Sequence, residues 1–186
     1  MRPQWIPGLA ALLFAAACGD PNELPDAQLE NVVDTVTISA LTGTPIRLPS
    51  AYSLPDRAPV RTDISAQFDF AFDIVAASGT PVLLPRSALG FPIEGGLQPG
   101  LQRREETFAA ITEAVSNGYL TRDTIPIATG ERYMARSRVV CTSLGVPQYG
   151  KLEVLAIDAT ARTVTFQVLV DGNCGYIGLE PGIPEN

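Results

Sequence analysis

Two stretches of the chain alternate between apolar and polar or small side chains, and this two-residue period constrains the fold more than any other feature. In residues 67–74 the side chains on one face are those of Phe68, Phe70, Phe72 and Ile74. In residues 163–170 they are those of Val164, Phe166, Val168 and Val170. Successive side chains of a β-strand point to opposite faces, so both stretches are typical of strands with one face in a core.

The rest of the pattern is also strand-rich. Further strands are predicted at residues 35–41, 80–84, 131–141, 151–158 and 175–179, with residues 49–65 and 85–100 irregular. Residues 103–117 are the single helix candidate, because Phe108, Ile111 and Val115 lie on one helical stripe and Gly118 follows as a C-terminal cap. We therefore expect a mainly β fold, an antiparallel sandwich or partly open barrel with one α-helix; the alternative is an α+β fold.

Composition excludes several classes of function. The chain has 186 residues, a net charge of −7 and no histidine. An acidic protein lacks the basic face that nucleic-acid binding requires. Without histidine, the Ser-His-Asp and Cys-His nucleophile systems and histidine-ligated metal sites are absent. No phosphate-cradling glycine loop, dinucleotide fingerprint or calcium loop is present, so neither a cofactor nor a metal is expected.

The N-terminus is typical of an export signal. Residues 5–17 carry no charge, and they are too few for a membrane-spanning helix, which needs roughly 20 apolar residues. Their length fits the apolar core of a signal peptide, about 7–15 residues. Three alanines at 15–17 then precede Cys18 and Gly19. We interpret residues 1–17 as a signal peptide, and the alternative is an ordinary secretory signal that leaves Cys18 as a free thiol.

Residues 15–18 resemble the lipobox of bacterial lipoproteins, in which an aliphatic or small residue and two small residues precede a cysteine. Ala15 stands where leucine is usual in that pattern. The resemblance implies cleavage before Cys18, a diacylglyceryl group on its thiol and an acylated amino terminus, which together anchor a protein stably. It also implies a lipid-anchored place in the bacterial cell envelope, with Gly19 favouring the outer membrane.

The remaining chain divides into three parts. Residues 18–34 are acidic and contain two prolines, so we expect a tether that stays extended from anionic headgroups. Residues 35–180 are expected to form one β-rich domain, and residues 181–186 a tail. Within the domain, Cys141 and Cys174 are predicted to form a disulfide, because the exported setting is oxidising. The alternative, a reactive Cys174 thiol, lacks an activating histidine or a C-x-x-C partner.

Three arginines on the strand at 131–141 form the candidate binding site. At period two, Arg132, Arg136 and Arg138 share one face. Such a row can hold a carboxylate, sulfate or phosphate by bidentate hydrogen bonds. The alternative is a solvated sheet face on which the arginines pair with acids of neighbouring strands. The acids considered are Asp69, Asp73 and Glu153.

Catalytic groups are scarce. Asp69 and Asp73 are four residues apart on a strand, about 13 Å between Cα atoms, which exceeds the separation of about 5–10 Å that glycoside hydrolysis requires. We expect both to be outward polar positions. The single lysine, Lys151, opens a strand and lacks the Ser-x-x-Lys pattern of a Ser-Lys nucleophile.

No catalytic residue is assigned. The sequence therefore favours a non-enzymatic binding or structural module whose partners are the membrane, through the lipid, and an envelope protein or an anionic ligand. The alternatives are an exported hydrolase that uses carboxylates and a carrier of small ligands.

Overall fold

Ten β-strands, numbered in chain order, form two five-stranded sheets in the computed structural model, which describes residues 24–94 and 96–185. Sheet I has the order β1 (Val33–Ser39), β10 (Thr163–Asp171), β9 (Val146–Asp158), β8 (Arg132–Cys141) and β6 (Gly100–Arg104). Sheet II has the order β3 (Ala58–Val60), β2 (Ala51–Ser53), β4 (Phe70–Ile74), β5 (Pro81–Pro85) and β7 (Ile125–Pro126). All neighbouring strands are antiparallel. The predicted mainly β fold is confirmed. Of the two predicted architectures, a sandwich or a partly open barrel, the structure is a sandwich.

The core lies between the sheets and is built from the alternating faces. Side chains at the predicted inward positions of β4 and β10 belong to one buried cluster, namely Phe70, Phe72, Ile74, Val164, Phe166, Val168 and Val170. The rings of Tyr52, Phe70 and Phe166 meet across it, with centroids 5.6 to 5.9 Å apart. Phe68 differs from the expectation, because it precedes β4 and packs with Ala51 and Ala71 in a separate cluster.

The predicted helix at residues 103–117 is wrong, and no α-helix occurs in the described parts of the chain. Arg103 and Arg104 belong to edge strand β6, and only a short 3₁₀ turn forms at Phe108–Ala110. Lys151 Nζ donates hydrogen bonds of 2.8 Å to the carbonyls of Phe108 and Ile111, the groups that an α-helix would use internally. Tertiary contacts thus override the helical pattern.

The segment that replaces the helix covers the outer face of sheet I. Its buried side chains pack with those of the sheet in a second cluster of Ile111, Ala114, Tyr119, Met134, Tyr149, Leu169 and Leu179. Further differences concern strands. β2 and β3 lie in a region predicted to be irregular, and residues 175–179 form only an isolated bridge, from Gly178 to Glu113. No helix within the described ranges is long and apolar enough to cross a membrane.

The chain ends are part of the domain as far as they are described. The predicted signal peptide, Cys18 and the first residues of the predicted tether lie outside the described residues. Asn31 pairs through its backbone with Gly182, at 2.8 and 3.0 Å, and β1 begins at Val33. Residue 31 of the predicted tether and residue 182 of the predicted tail thus contact each other at the edge of the domain. Asn31 is 1% exposed, and its burial explains why both segments are fixed.

The predicted disulfide is confirmed. Cys141 at the end of β8 bonds to Cys174 beyond β10, with Cα atoms 5.5 Å apart and a sequence separation of 33. Because β8 and β10 lie on either side of β9, the bond fastens one end of sheet I. We call this end of the sandwich the disulfide end.

Reduction of this bond is expected to lower the melting temperature. A closed loop of this length stabilises the fold by about 4 kcal/mol in the chain-entropy account, which corresponds to about 10 °C for a domain of this size. Calorimetry of the oxidised and reduced protein measures the difference. Identical melting temperatures, together with two titratable thiols in the oxidised sample, would contradict the bond.

Candidate functional site

Strand β8 loses its regular period where the predicted arginine row should continue. Its pairing with β9 shifts register between Arg136 and Val139, which indicates a bulge. Ser137 is fully buried at this point, and its Oγ accepts the N–H of Gln148 at 2.9 Å. The bulge turns Arg138 away from the face that carries Arg136. The predicted single face of three arginines is therefore corrected.

Arg132 and Arg136 are each held by contacts on the outer side of sheet I. Arg132 on β8 pairs at 3.6 Å with Glu153, which lies opposite it on the neighbouring strand β9. This is the pairing with an acid of a neighbouring strand that the alternative interpretation expected. Arg136 lies 4.7 Å above the Tyr119 ring and donates 3.0 Å hydrogen bonds to the carbonyls of Ser116 and Gln98. Burial lowers the pKa of Arg136. Both side chains stabilise the fold.

Arg138 instead reaches Asp69 and joins the two sheets. Asp69 is 1% exposed and precedes β4 of sheet II. Its Oδ1 accepts the backbone N–H of Arg138 at 2.9 Å and lies 3.3 Å from Nη1, while Oδ2 accepts the N–H of Leu54 at 2.8 Å. Burial raises the pKa of the Asp69 carboxyl, and these N–H groups and the guanidinium oppose that rise. The expectation of an outward Asp69 is wrong, although its pairing with an arginine of β8 is confirmed.

Asp69 also positions a second arginine, Arg86. Its backbone carbonyl accepts the N–H of Arg86 at 3.0 Å. Arg86 and Arg138 both line a surface groove of about 560 Å³. The other lining residues are Gln67, Pro92, Ile93, Gly96, Val139, Val140 and Thr142. We call this the Arg86–Arg138 groove, and its lining combines these two arginines with a largely apolar wall.

The two arginines of the groove differ in charge compensation. Arg138 pairs with Asp69 and lies 3.7 Å from a carboxylate oxygen of Asp56. The Arg86 guanidinium forms no ion pair or side-chain hydrogen bond with the described part of the chain, and its Nε is buried without a partner there. The groove therefore holds a positive charge that those residues leave unpaired.

One rim of the groove is a loop organised by Gln98. Its Oε1 accepts hydrogen bonds from Ser87 Oγ at 2.7 Å and from Ile93 N at 2.8 Å. Its Nε2 donates to the carbonyls of Ile93 and Gly96. Arg136 holds the Gln98 carbonyl from the other side. Arg136 thus holds the rim in place, and it is not among the residues that line the groove.

The two other residues considered for catalysis, Asp73 and Lys151, both form contacts that stabilise the fold. Asp73 accepts the backbone N–H of Thr42 at 3.1 Å and lies 3.6 Å from Arg162. Lys151 is 1% exposed and lies 4.6 Å from the centroid of the Phe108 ring, and burial lowers its pKa. Across the described ranges, no group of three or more Cys, Asp or Glu side chains is arranged to hold a metal ion.

Sequence reasoning missed Arg86. It follows β5 at the start of a stretch rich in glycine and proline, and such stretches give no periodic signal. The available signal was a lone arginine within an otherwise uncharged turn after a predicted strand. Its proximity to Arg138 depends on the pairing of the two sheets, which local sequence does not show.

The two groove arginines are expected to differ in their effect on stability. Arg138→Met leaves the Asp69 carboxylate buried without its guanidinium, so we expect a loss of about 3 kcal/mol in the free energy of unfolding. Arg86→Met is the matched control and is expected to change stability by less than about 0.5 kcal/mol. Urea unfolding measures both variants. Equal losses would refute the division of roles.

The chain was also compared with known proteins. No family model, curated protein or solved structure matches it.

Proposed function

We propose that this chain is an exported, lipid-anchored envelope protein whose β-sandwich is a non-enzymatic binding module. The groove between Arg86 and Arg138 is its ligand site. The observation that carries this proposal is Arg86, which lines a groove with apolar walls and whose guanidinium forms no ion pair with the described residues. The ligand class is an anion that also carries an apolar part.

The anionic half of this specificity follows from charge. A guanidinium group presents its N–H donors in a planar fork that matches a carboxylate or phosphate. Asp69 compensates Arg138, so Arg86 supplies the attraction for an additional anion. The protein as a whole has a net charge of −7, and Arg86 is the groove arginine that forms no ion pair with a described carboxylate.

The apolar half follows from the groove wall. Pro92, Ile93, Val139 and Val140 line it beside the arginines. Binding sites for small molecules commonly combine such apolar lining with a few polar groups that fix orientation. A ligand with only an anionic group would leave this wall in water, whereas one with an apolar part would cover it.

Export and anchoring are supported by two independent features. The alanines at 15–17 and Cys18 resemble a lipobox after an uncharged stretch. The Cys141–Cys174 disulfide is typical of proteins in oxidising compartments. We place the protein in a bacterial cell envelope, at the outer membrane.

The alternative functions have less support. A hydrolase based on carboxylates would need free acids, but Asp69 and Asp73 are engaged with Arg138 and Arg162. A carrier would need an apolar cavity, and the space between the sheets is filled by a packed cluster that includes Tyr52. A binding module requires neither free catalytic acids nor a cavity between the sheets.

Cys18→Ala tests the anchor. The substitution removes the thiol that carries the diacylglyceryl group, so we expect a chain without acyl groups that is either soluble or still carries the uncleaved signal peptide. Phase partitioning and intact mass measure the change. A mature protein with an intact Cys18 and no acyl groups in its mass would refute the lipid anchor.

Octanoate tests the groove, because it combines a carboxylate with an apolar chain. We expect Arg86→Met to weaken octanoate binding at least about tenfold, since a charge-assisted hydrogen bond contributes about 1.5–3 kcal/mol. Titration calorimetry measures the affinities. Arg47→Met, which removes an exposed arginine outside the groove, is the matched control and should bind like the unchanged protein. Equal affinity in Arg86→Met, or equal binding of octanol, would contradict the proposal.

A further inference from the structure

The N-terminal segment joins the domain at the disulfide end. Tyr176 OH donates a hydrogen bond of 2.9 Å to the carbonyl of Pro25. Asn173 Oδ1 accepts the backbone N–H groups of Gln28 and Leu29, at 3.0 and 2.9 Å. Both Tyr176 and Asn173 lie within two residues of Cys174. The segment is therefore fastened beside the disulfide.

This attachment is part of the buried structure of the domain. Asn173 is 8% exposed, and its Nδ2 donates to the Leu29 carbonyl at 2.8 Å and to Asp171 Oδ1 at 2.9 Å. Asp171 is fully buried and also accepts the N–H of Asn173 at 2.8 Å. Burial raises the pKa of Asp171, and the hydrogen bonds from Asn173 oppose that rise. Residues from Pro25 onward thus move with the sandwich.

The chain outside the described residues sets a limit on distance. Six residue steps separate Cys18 from Leu24, and an extended chain spans at most about 22 Å over that number. The predicted tether to residue 34 would have allowed about 58 Å. A lipid on Cys18 therefore keeps the disulfide end near the membrane, whatever path the connecting residues take.

The same end exposes apolar side chains around a shallow cavity. The cavity has a volume of about 440 Å³ and is lined in part by Pro25, Leu29, Leu144 and Tyr176. Leu29 is 51% exposed and Leu144 is 46% exposed. Asp26 is the one charged side chain among the described residues of this lining. Apolar side chains grouped at a surface mark sites of contact with a partner or a membrane.

We infer that this patch, which comprises the exposed side chains of Pro25, Leu29 and Leu144, rests on the lipid surface and fixes the orientation of the domain. The inference depends on the proposed anchor at Cys18. The short connection brings the patch to the bilayer, and the interface would cover the apolar side chains that water now contacts. Asp26 disfavours anionic headgroups, so the surface that fits is zwitterionic.

A single tryptophan can test this orientation. The sequence has one tryptophan, Trp5, and it lies in the predicted signal peptide. Leu144→Trp therefore places one reporter in the mature chain at the patch. Leu155→Trp is the matched control, because Leu155 is 41% exposed, about as much as Leu144. Strand β9 starts at Val146, two residues after Leu144, and Leu155 lies about 30 Å farther along this strand.

The measurement uses the lipidated mature protein in phosphatidylcholine vesicles with brominated acyl chains, which quench nearby tryptophan. We expect quenching of Leu144→Trp to exceed that of Leu155→Trp at least threefold, and to disappear when Cys18→Ala is added. Equal quenching at the two positions would overturn the inference.

Intact mass separates this inference from the proposed function. An acylated Cys18 together with equal quenching would overturn the orientation while the anchor stands. A mass without acyl groups would overturn both. An acylated Cys18 with quenching confined to Leu144→Trp supports both.

Discussion

The buried carboxylate of Asp69 is the contact on which the two sheets and the groove depend. A charge with 1% exposure is costly unless it is paired and hydrogen-bonded, and Asp69 receives the N–H groups of Leu54 and Arg138 as well as the Arg138 guanidinium. Leu54 follows a strand of sheet II, whereas Arg138 belongs to sheet I. The carboxylate therefore determines how the sheets meet at this point, and its backbone carbonyl places Arg86 beside Arg138.

The two-residue periodicity correctly predicted which side chains of a single strand face the core. The inward residues of β4 and β10 were found in this way, and the cysteine pair followed from the exported setting. The helix prediction failed because Lys151, about 40 residues away, takes two carbonyls of the segment. The arginine row failed because one bulge beside Ser137 reverses the direction of Arg138. Neither event has a signal in the local sequence.

The candidate site was therefore predicted only in part. Arg138 was identified from its spacing. Its partner in the groove, Arg86, directly follows strand β5 of sheet II and becomes a neighbour of Arg138 only when the sheets pack. The turn after β8 contributes residues both to the groove and to the patch that faces the lipid in the proposed orientation. Thr142 lines the groove, and Leu144 lines the patch that faces the lipid. An anionic ligand with an apolar part would then be bound close to the membrane surface.

A double-mutant cycle on Asp69 and Arg138 tests most directly whether this contact joins the sheets. The free energy of unfolding is measured in urea for Asp69→Asn, for Arg138→Met and for the double variant. The account predicts that the two losses overlap, with an interaction energy of at least about 1 kcal/mol. Strictly additive losses would show that the carboxylate and the guanidinium act independently, and they would contradict the account.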